Sequence, residues 1–234
     1  MSLAKEDLCP VENPVSNARR NLMVYDHNVY RLRIAQGVAI NNRSYPLPRG
    51  SNIYNVVSGY FCQHPLSNDI LLEKTFKEWS CYLEILASFA VRDCPTKMMA
   101  NSLYALNYEQ YIFQYLPADF HYRHYSFFSI ESTDDYDLEN PYHLALRKWV
   151  DAVKSNSFSE NATFEGGGEL LPFANMIRAN TTHIGCSQRR CGKTAAVACF
   201  YDSPDMKKGE AIYKTGQGCN SADDCTSHPG SYCD

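Results

Sequence analysis

The sequence has neither an excess of basic residues nor a long apolar run, and these two absences set the first limits on its function. It contains 22 Lys and Arg against 26 Asp and Glu, so it has no basic footprint of the kind that binds nucleic acid or anionic membranes. The longest apolar run, residues 83–91, is interrupted by Glu84 and is too short to span a bilayer. We therefore expect no nucleic-acid partner and no membrane span.

The sequence also lacks the short motifs of common nucleophilic and nucleotide-binding enzymes. No Gly-x-Ser-x-Gly occurs, and that pattern presents the reactive serine of an α/β-hydrolase. Gly192-Lys193-Thr194 matches only the end of a phosphate-binding loop, lacks the upstream glycine and lies in a predicted turn. We therefore expect no enzymatic activity and no cofactor.

Cysteine, in contrast, is abundant. The chain has 10 cysteines, and Asn-x-Ser/Thr sequons begin at Asn42, Asn161 and Asn180. The cysteines carry most of the inference, because sequons also occur by chance, and together they predict a secreted, extracellular glycoprotein. All 10 cysteines are expected to form disulfides, and the sequence leaves their pairing open. They are Cys9, Cys62, Cys81, Cys94, Cys186, Cys191, Cys199, Cys219, Cys225 and Cys233.

Hydrophobic periodicity predicts helices in the first two thirds of the chain and a hairpin later. Apolar residues recur at helical spacing from residue 17 to a stop at Gly37, and again over residues 72–90, which predicts the longest helix of the chain. Asn140-Pro141 is a helix start, with asparagine as cap and proline in the first turn. A short helix or turn is expected at 173–178. Two apolar segments, 182–186 and 194–201, flank a turn at 188–193 and predict a β-hairpin.

Several of these segments carry partial motifs in a recognisable order. They read HNVYR at 27–31, AQG at 35–37, WSCYLE at 79–84, IGC at 184–186 and CFY at 199–201. This series resembles the CAP superfamily of cysteine-rich secretory proteins, which includes the activation-associated secreted proteins of nematodes. The resemblance implies an α+β fold, the three-layer α-β-α sandwich. It also implies an N-terminal arm at 1–16, a CAP domain at 17–203 and a hinge-like, cysteine-rich extension at 204–234.

The resemblance further identifies the positions of a cleft. Members of the family that bind metal use two histidines and two glutamates around it, and the positions that match in this sequence are Met98, Glu109, Ala152 and Pro172. One carboxylate holds a divalent ion poorly. We therefore expect no metal at this place, which makes a metal-dependent hydrolase the least favoured function. His27 is expected to be a packing or capping residue.

Two other groups of polar residues are compatible with a metal site. They are the His-x-x-His at 121–124 and the acidic run at 134–137. Acids in loops more often cap a helix or face solvent, and His-x-x-His without further ligands at helical spacing is a weak motif. A lipid or sterol carrier is the alternative function, because some family members bind apolar ligands and the stretch 104–128 is rich in aromatic residues. Those tyrosines could equally belong to the core.

A scaffold without its cleft ligands favours a function at the surface. Nematode members that act on a host bind cell-surface receptors, and this chain resembles the platelet-inhibiting and neutrophil-inhibiting proteins of hookworms, of which we favour the former. The resemblance thus implies a monomer that antagonises a host receptor, with platelet integrins as the expected target. Three groups of residues are candidate receptor contacts, although each could be an ordinary solvated turn. They are Lys208-Gly209-Glu210, Arg49-Gly50 and the basic turn with Arg189, Arg190 and Lys193.

Overall fold

A three-stranded antiparallel sheet lies between helices on both of its faces. The computed structural model describes residues 9, 15–40, 45–53, 79–98, 103–112 and 140–217. Within these residues the helices are α1 (Asn17–Gln36), α2 (Cys81–Ala90), α3 (Pro141–Ser155) and α4 (Leu171–Ile177). The strands are β1 (Ala105–Ile112), β2 (Ile184–Cys191) and β3 (Thr194–Tyr201).

The sheet has the strand order β1-β3-β2, so β3 is central and covered on both faces. Its odd-numbered residues, such as Val197 and Tyr201, belong to the larger core that includes side chains of α1, α3 and α4. Its even-numbered residues, Ala196, Ala198 and Phe200, pack with α2 in a second cluster. Because successive side chains of a strand point to opposite faces, the sheet separates the two helical layers. The expected α-β-α sandwich is confirmed.

Helix α1 begins and ends at residues whose local chemistry explains the boundaries. The Ser16 side chain accepts a hydrogen bond from the Arg19 amide at 3.4 Å, and Gly37 adopts a left-handed conformation with φ of 70°. The Gly37 amide donates to the carbonyls of Arg33 and Ile34, which satisfies groups that a helix end leaves free. The predicted helix from residue 17 to Gly37 is confirmed.

The predicted start of α3 is also confirmed. Asn140 is the N-cap, and its side chain accepts from the Tyr142 amide at 3.1 Å. Pro141 occupies the first turn, where its missing N–H costs nothing. The short helix expected near 173–178 is present as α4, with Pro172 in its first turn.

The prediction of one continuous helix over residues 72–90 is wrong, because residues 79 and 80 are not helical and the helix begins at Cys81. Trp79 is extended and forms a parallel bridge with Ile184, and the Ser80 amide donates to the Ile184 carbonyl at 2.8 Å. Ser80 is the N-cap of α2, where its side chain accepts from the Leu83 amide. The helix therefore begins at Cys81. Residues 54–78 lie outside the described residues.

The hairpin is confirmed, but its turn is shorter than predicted. Strand β2 continues to Cys191, which pairs with Thr194 of β3. Only Gly192 and Lys193 remain in the turn, and Gly192 has the positive φ of 62° that such a tight connection favours. Arg189 and Arg190 therefore lie in the strand and point to opposite faces of the sheet.

A fully buried carboxylate fixes the position of α2. Glu84 accepts hydrogen bonds from Arg20 Nε at 2.8 Å and Arg20 Nη2 at 3.0 Å. It also accepts from Trp79 Nε1 at 2.5 Å and from the Val15 amide at 3.3 Å. Arg20 and Glu84 are 3% and 0% exposed. A charge this deeply buried is tolerated only when it is paired and hydrogen-bonded, so this cage links α1, α2 and the chain before α1.

Three disulfides join the described cysteines. Cys9–Cys81 connects the predicted N-terminal arm to the first residue of α2, and Cys94–Cys191 connects the loop after α2 to the end of β2. The third crosses the hairpin between paired positions of β2 and β3, Cys186–Cys199. The other four cysteines, Cys62, Cys219, Cys225 and Cys233, lie outside the described residues.

The described part of the predicted C-terminal extension, residues 204–217, packs into the body. Ile212 and Tyr213 are each 1% exposed and belong to the larger core. The Ala179 amide donates to the Ile212 carbonyl, and the Tyr213 hydroxyl donates to the Pro48 carbonyl at 2.7 Å. This stretch is therefore integrated with the body rather than separate from it. Within the described ranges no helix has the length and hydropathy needed to cross a membrane.

Candidate functional site

Three of the four cleft positions identified from the sequence line one open cleft. Glu109 of β1, Ala152 of α3 and Pro172 at the start of α4 all border a cavity of about 640 Å³. Glu109 is there because it is odd-numbered in β1 and so faces the layer of α3 and α4. The other charged side chains on its walls are Arg147, Lys148, Asp151 and Glu169.

The carboxylate of Glu109 already has a cationic partner. Lys148 Nζ donates to Glu109 Oε2 at 2.6 Å, and the two side chains are 64% and 14% exposed. The other acids of the cleft are also engaged, since Asp151 pairs with Lys154 at 2.6 Å and Glu169 accepts from Asn156 at 3.5 Å. The cleft is therefore an open, mixed-charge surface whose charges are largely balanced.

The prediction that Met98 lines the cleft is wrong. Met98 packs instead with the α2 cluster, on the opposite face of the sheet from Glu109. The position was identified by counting four residues from Cys94. Cys94 has a positive φ of 44°, so the chain turns at this residue, and Met98 is half-buried against the α2 cluster.

The cleft does not fit a divalent metal. Ala152 and Pro172 carry no ligand atom, and the one remaining ligand position, Glu109, is bound to an ammonium group. None of the described residues that line the cleft is a histidine or a cysteine. A zinc site needs three or four nitrogen, sulfur or carboxylate ligands arranged around one point. The cleft carboxylates do not converge in this way, because the one converging group among the described residues is His27, Cys186 and Cys199.

His27 is buried beneath the sheet and is held by hydrogen bonds through both ring nitrogens. Nδ1 lies 2.7 Å from the Met23 carbonyl and therefore donates, which leaves Nε2 to accept from the Tyr201 hydroxyl at 3.0 Å. Burial lowers the pKa of His27 to about 4, and the nearby Arg31 adds to this effect. His27 is therefore neutral at ordinary pH and acts as a packing residue, as expected.

His27 also belongs to the one group of potential metal ligands found among the described residues. The other members are Cys186 and Cys199. Their sulfur atoms are bonded to each other in a disulfide, and a disulfide sulfur is not the thiolate that binds a metal. This group has no free thiolates to offer.

A buried polar network beneath Pro172 was not predicted. Asn107 donates from Nδ2 to the Pro172 carbonyl at 2.8 Å and to the Tyr201 hydroxyl at 3.0 Å. Asn175 donates to Asn107 Oδ1 and to Asp205 Oδ1, both at 3.1 Å. These bonds connect the floor of the cleft to the core. An isolated asparagine in a strand gives no sequence signal of such a role, because it is equally typical of a solvent-facing position.

One partly exposed cluster brings together the residue types of a catalytic triad. Thr182 Oγ1 donates to Asp202 Oδ2 at 2.5 Å, and His183 Nδ1 lies 2.9 Å from the same oxygen. Burial raises the pKa of Asp202, but hydrogen bonds from His183 and Thr182 outweigh it and leave this pKa lowered. Thr182 Oγ1 also lies 2.8 Å from His183 Nδ1. That nitrogen is hydrogen-bonded to Asp202 and cannot also accept the proton of the hydroxyl, so Thr182 is not an activated nucleophile. The cluster ties the start of β2 to the end of β3.

The Lys208-Gly209-Glu210 candidate does not present a free carboxylate. Glu210 Oε2 accepts from Arg178 Nη2 at 3.3 Å and from the Lys207 amide at 3.1 Å. Gly209 lies in a turn with φ of 89°. An integrin ligand uses its carboxylate to coordinate the metal of the receptor, and here that group is bound within the chain.

The other two candidate groups differ in how exposed they are. Arg49 donates from Nε to the Ala35 carbonyl at 2.7 Å, and the buried Gly50 bridges Thr215, so this pair mainly holds α1 to residues 214–216. The side chains of Arg189, Arg190 and Lys193, in contrast, are exposed. The basic residues at this end of the hairpin thus remain candidates for contact.

The remaining sequence predictions are only partly covered by the described residues. Asn161 and Asn180 are exposed, while Asn42, the histidines at 121–124 and the acidic run at 134–137 lie outside. Within the aromatic stretch 104–128, the described tyrosines Tyr104, Tyr108 and Tyr111 pack against the two cores. Glycosylation and lipid binding both stay predictions.

The sequence profile of a family described as "CAP: Cysteine-rich secretory protein family" matches residues 24–201. Ancylostoma secreted protein from Ancylostoma caninum is 24% identical over 221 residues, which cover 94% of this chain and 42% of that protein. The chain thus spans less than half the length of this curated relative.

Two solved structures have the same fold. Na-ASP-1 gives a TM-score of 0.70 at 23% identity, over 97% of this chain and 46% of that chain. Hookworm platelet inhibitor gives a TM-score of 0.57 at 17% identity, over 94% of this chain and 88% of that chain. Because the family profile covers most of the sequence and these structures share its α-β-α arrangement, the protein belongs to the cysteine-rich secretory protein (CAP) family.

Proposed function

We propose that this protein is a secreted, non-enzymatic antagonist of a host cell-surface receptor, and that it inhibits the adhesion and aggregation of platelets through their integrins. The observation that carries the proposal is the cleft. Glu109 is paired with Lys148, and the two neighbouring positions, Ala152 and Pro172, hold no ligand atom. A scaffold that keeps its core without these ligands is suited to act by contact.

The scaffold itself supports a role in binding. Two disulfides and the Glu84 cage fix the ends of α2, and a third disulfide fixes the hairpin. A surface that is rigid before binding loses little conformational entropy when it binds. The likeness to hookworm platelet inhibitor and to Ancylostoma secreted protein supports the choice of a parasite protein that acts on host cells, with platelets as the first cells to test.

The proposal is tested with the full chain, made in a secretory host so that its disulfides form. Washed platelets are allowed to adhere to immobilised fibrinogen, and their aggregation by a soluble agonist is recorded, both over increasing concentrations of the protein. We expect dose-dependent inhibition at micromolar concentration or below. The control is the same protein after reduction and alkylation, which removes the structure but not the composition. No inhibition by the native protein at micromolar concentration would overturn the proposal.

A further inference from the structure

Helix α2 is apolar on both of its faces, and among the described residues only its inner face is covered. Its inner face packs on the sheet through Leu83, Ala87 and Ala90, each at most 2% exposed. Its outer face carries Tyr82, Ile85 and Phe89, which are 57%, 38% and 65% exposed. These three are the only exposed residues of the helix. A helix that is apolar all round is normally covered all round, so the outer face is unusual in a surface helix.

The charge that a surface helix would normally show to water is absent here. The only charged residue of α2 is Glu84, and it points inward to Arg20. Leu103, at 67% exposure, and Tyr104, whose ring lies 5.9 Å from that of Tyr82, add to the apolar character next to the helix. Contiguous exposed apolar patches of this kind are typical of interaction sites.

The three exposed positions have the spacing with which a helix inserts into a groove. Residues 82, 85 and 89 are i, i+3 and i+7, so they form one stripe along the helix, and this is the anchor pattern of helix-in-groove recognition. Tyrosine and phenylalanine are suited to this task because they bury a large area at a low cost in side-chain entropy. The helix is also held in place beforehand, since disulfides fix the chain at Cys81 and at Cys94.

One end of this stripe is basic. The Cys94–Cys191 disulfide brings the loop after α2 to the end of the hairpin, where Cys191 Sγ lies 3.9 Å from the Arg92 carbonyl and Cys94 Sγ lies 3.5 Å from the Arg189 carbonyl. Arg189 lies on the same face of the sheet as α2. The exposed charged residues in this region are Arg92, Asp93, Lys97, Arg189 and Lys193, four cations and one acid.

From these observations we propose that the outer face of α2 is the receptor contact of this protein. Its partner is a protein groove with an apolar floor, acidic at the end that meets Arg92 and Arg189. This inference rests on the proposed function and names its binding surface. A protein partner is favoured over an anionic membrane because the chain has a formal net charge of −4, which a membrane of like sign repels, whereas a groove needs only local complementarity.

The test measures how much labelled full-length protein binds to washed platelets by flow cytometry. Phe89→Glu and Ile85→Glu place a charge in the apolar stripe, and Leu32→Glu is the matched control because Leu32 is an exposed apolar residue, at 46%, on a different helix. We expect the two α2 variants to bind about tenfold more weakly or worse, as for central anchors of an interface, and Leu32→Glu to bind like the unmodified protein.

The basic end is tested separately. Arg189→Glu is expected to slow association about threefold or more at low ionic strength, with a smaller effect at high salt. Lys208→Glu changes the net charge equally at the turn of the Lys208-Gly209-Glu210 candidate and is expected to leave association unchanged. A loss of binding in Lys208→Glu but not in Arg189→Glu would move the contact to that turn and overturn the inference.

The remaining outcomes separate the inference from the proposed function. If the unmodified protein binds no platelets, both fail. If it binds and Phe89→Glu binds equally well, only the inference fails. It also fails if platelets treated with protease still bind, if phosphatidylserine vesicles compete for binding, or if sedimentation velocity shows that the face is used for self-association. A clearly lower unfolding temperature for Phe89→Glu than for Leu32→Glu would show that the side chain packs within the molecule, and would overturn it too.

Discussion

Two neighbouring residues of α1, the half-buried Asp26 and the fully buried His27, have opposite effects on stability when the pH changes. Burial raises the pKa of Asp26 to about 7, with a smaller lowering effect from a hydrogen bond to Tyr142, and one of its carboxylate oxygens has no hydrogen-bond partner. Burial lowers the pKa of His27 to about 4. Between the two values the folded protein therefore holds a proton on Asp26 and none on His27.

The titrations of Asp26 and His27 change the free energy of unfolding in opposite directions as the pH changes. The unfolded chain takes up a proton on His27 below pH 6.5 while the folded protein does not, so His27 reduces stability as the pH falls from 6.5 to about 4. Asp26 is protonated in the folded protein below about pH 7 and in the unfolded chain only below 3.8, so it reduces stability as the pH rises through that window. The two effects offset each other between pH 4 and 6.5.

The substitution Asp26→Asn should remove the pH-dependent contribution of Asp26 to stability and leave that of His27. We expect the variant to be more stable than the unmodified protein above pH 7, by up to about 4 kcal/mol from the size of the pKa shift. It should lose most of this advantage as the pH falls from 7 toward 3.8, because the folded unmodified protein then holds a proton on Asp26 and no longer carries a buried charge there. Urea unfolding from pH 4.5 to 8 measures both. His27→Gln is the companion variant, and its stability should fall more steeply with rising pH. Parallel pH profiles for Asp26→Asn and the unmodified protein would contradict this account.

At the scale of elements, the close approach of α2 to β2 depends on a glycine. A Cβ atom built at Gly185 would lie 2.2 Å from the Glu84 amide nitrogen and 2.6 Å from Leu83 Cβ. The first contact is with backbone, which cannot move aside without shifting the whole helix. The small side chains of Ala196 and Ala198 in β3 allow the same close approach of the sheet to the rest of α2. The glycine of the IGC motif is thus explained by packing.

Gly185→Ala is therefore expected to destabilise the protein by about 3 kcal/mol or more, as an overpacked site does when its neighbours cannot relax. The matched control is Gly168→Ala, where no atom lies within 4 Å of the added Cβ and φ is not positive. That variant should unfold within about 0.5 kcal/mol of the unmodified protein. Denaturant midpoints measured side by side decide the matter, and equal midpoints for the two variants would contradict the predicted clash.

The elements that the sequence predicted well are those with local signals. Gly37 and Asn140-Pro141 mark helix ends through their own backbone chemistry, and the structure places the boundaries there. The start of α2 was missed because apolar periodicity continues through Trp79, whose side chain is buried whether or not its backbone is helical. The helix starts only after Ser80 because Trp79 forms a bridge with Ile184, about a hundred residues away. No local sequence pattern indicates such a contact.

For the whole molecule, the resemblance to one family predicted the sandwich and three of the cleft positions. It could not predict that Lys148 neutralises Glu109, because the two residues lie on different elements and meet only when α3 packs against β1. Nor could it predict that one face of α2 is exposed, because apolar residues on both faces of a helix predict that both faces are buried. Both features depend on how elements are arranged, and both bear directly on function.

We infer that the scaffold keeps the shape of its family while its cleft lacks the ligands to hold a metal ion. Isothermal titration calorimetry of the metal-free protein with Zn²⁺ tests it most directly, beside the variant Ala152→Glu/Pro172→His/Lys148→Ala, which places a carboxylate and an imidazole at the empty positions and releases Glu109. We predict no saturable binding at micromolar zinc by the unmodified protein and measurable binding by the variant. Micromolar binding by the unmodified protein that Glu109→Ala abolishes would contradict the claim.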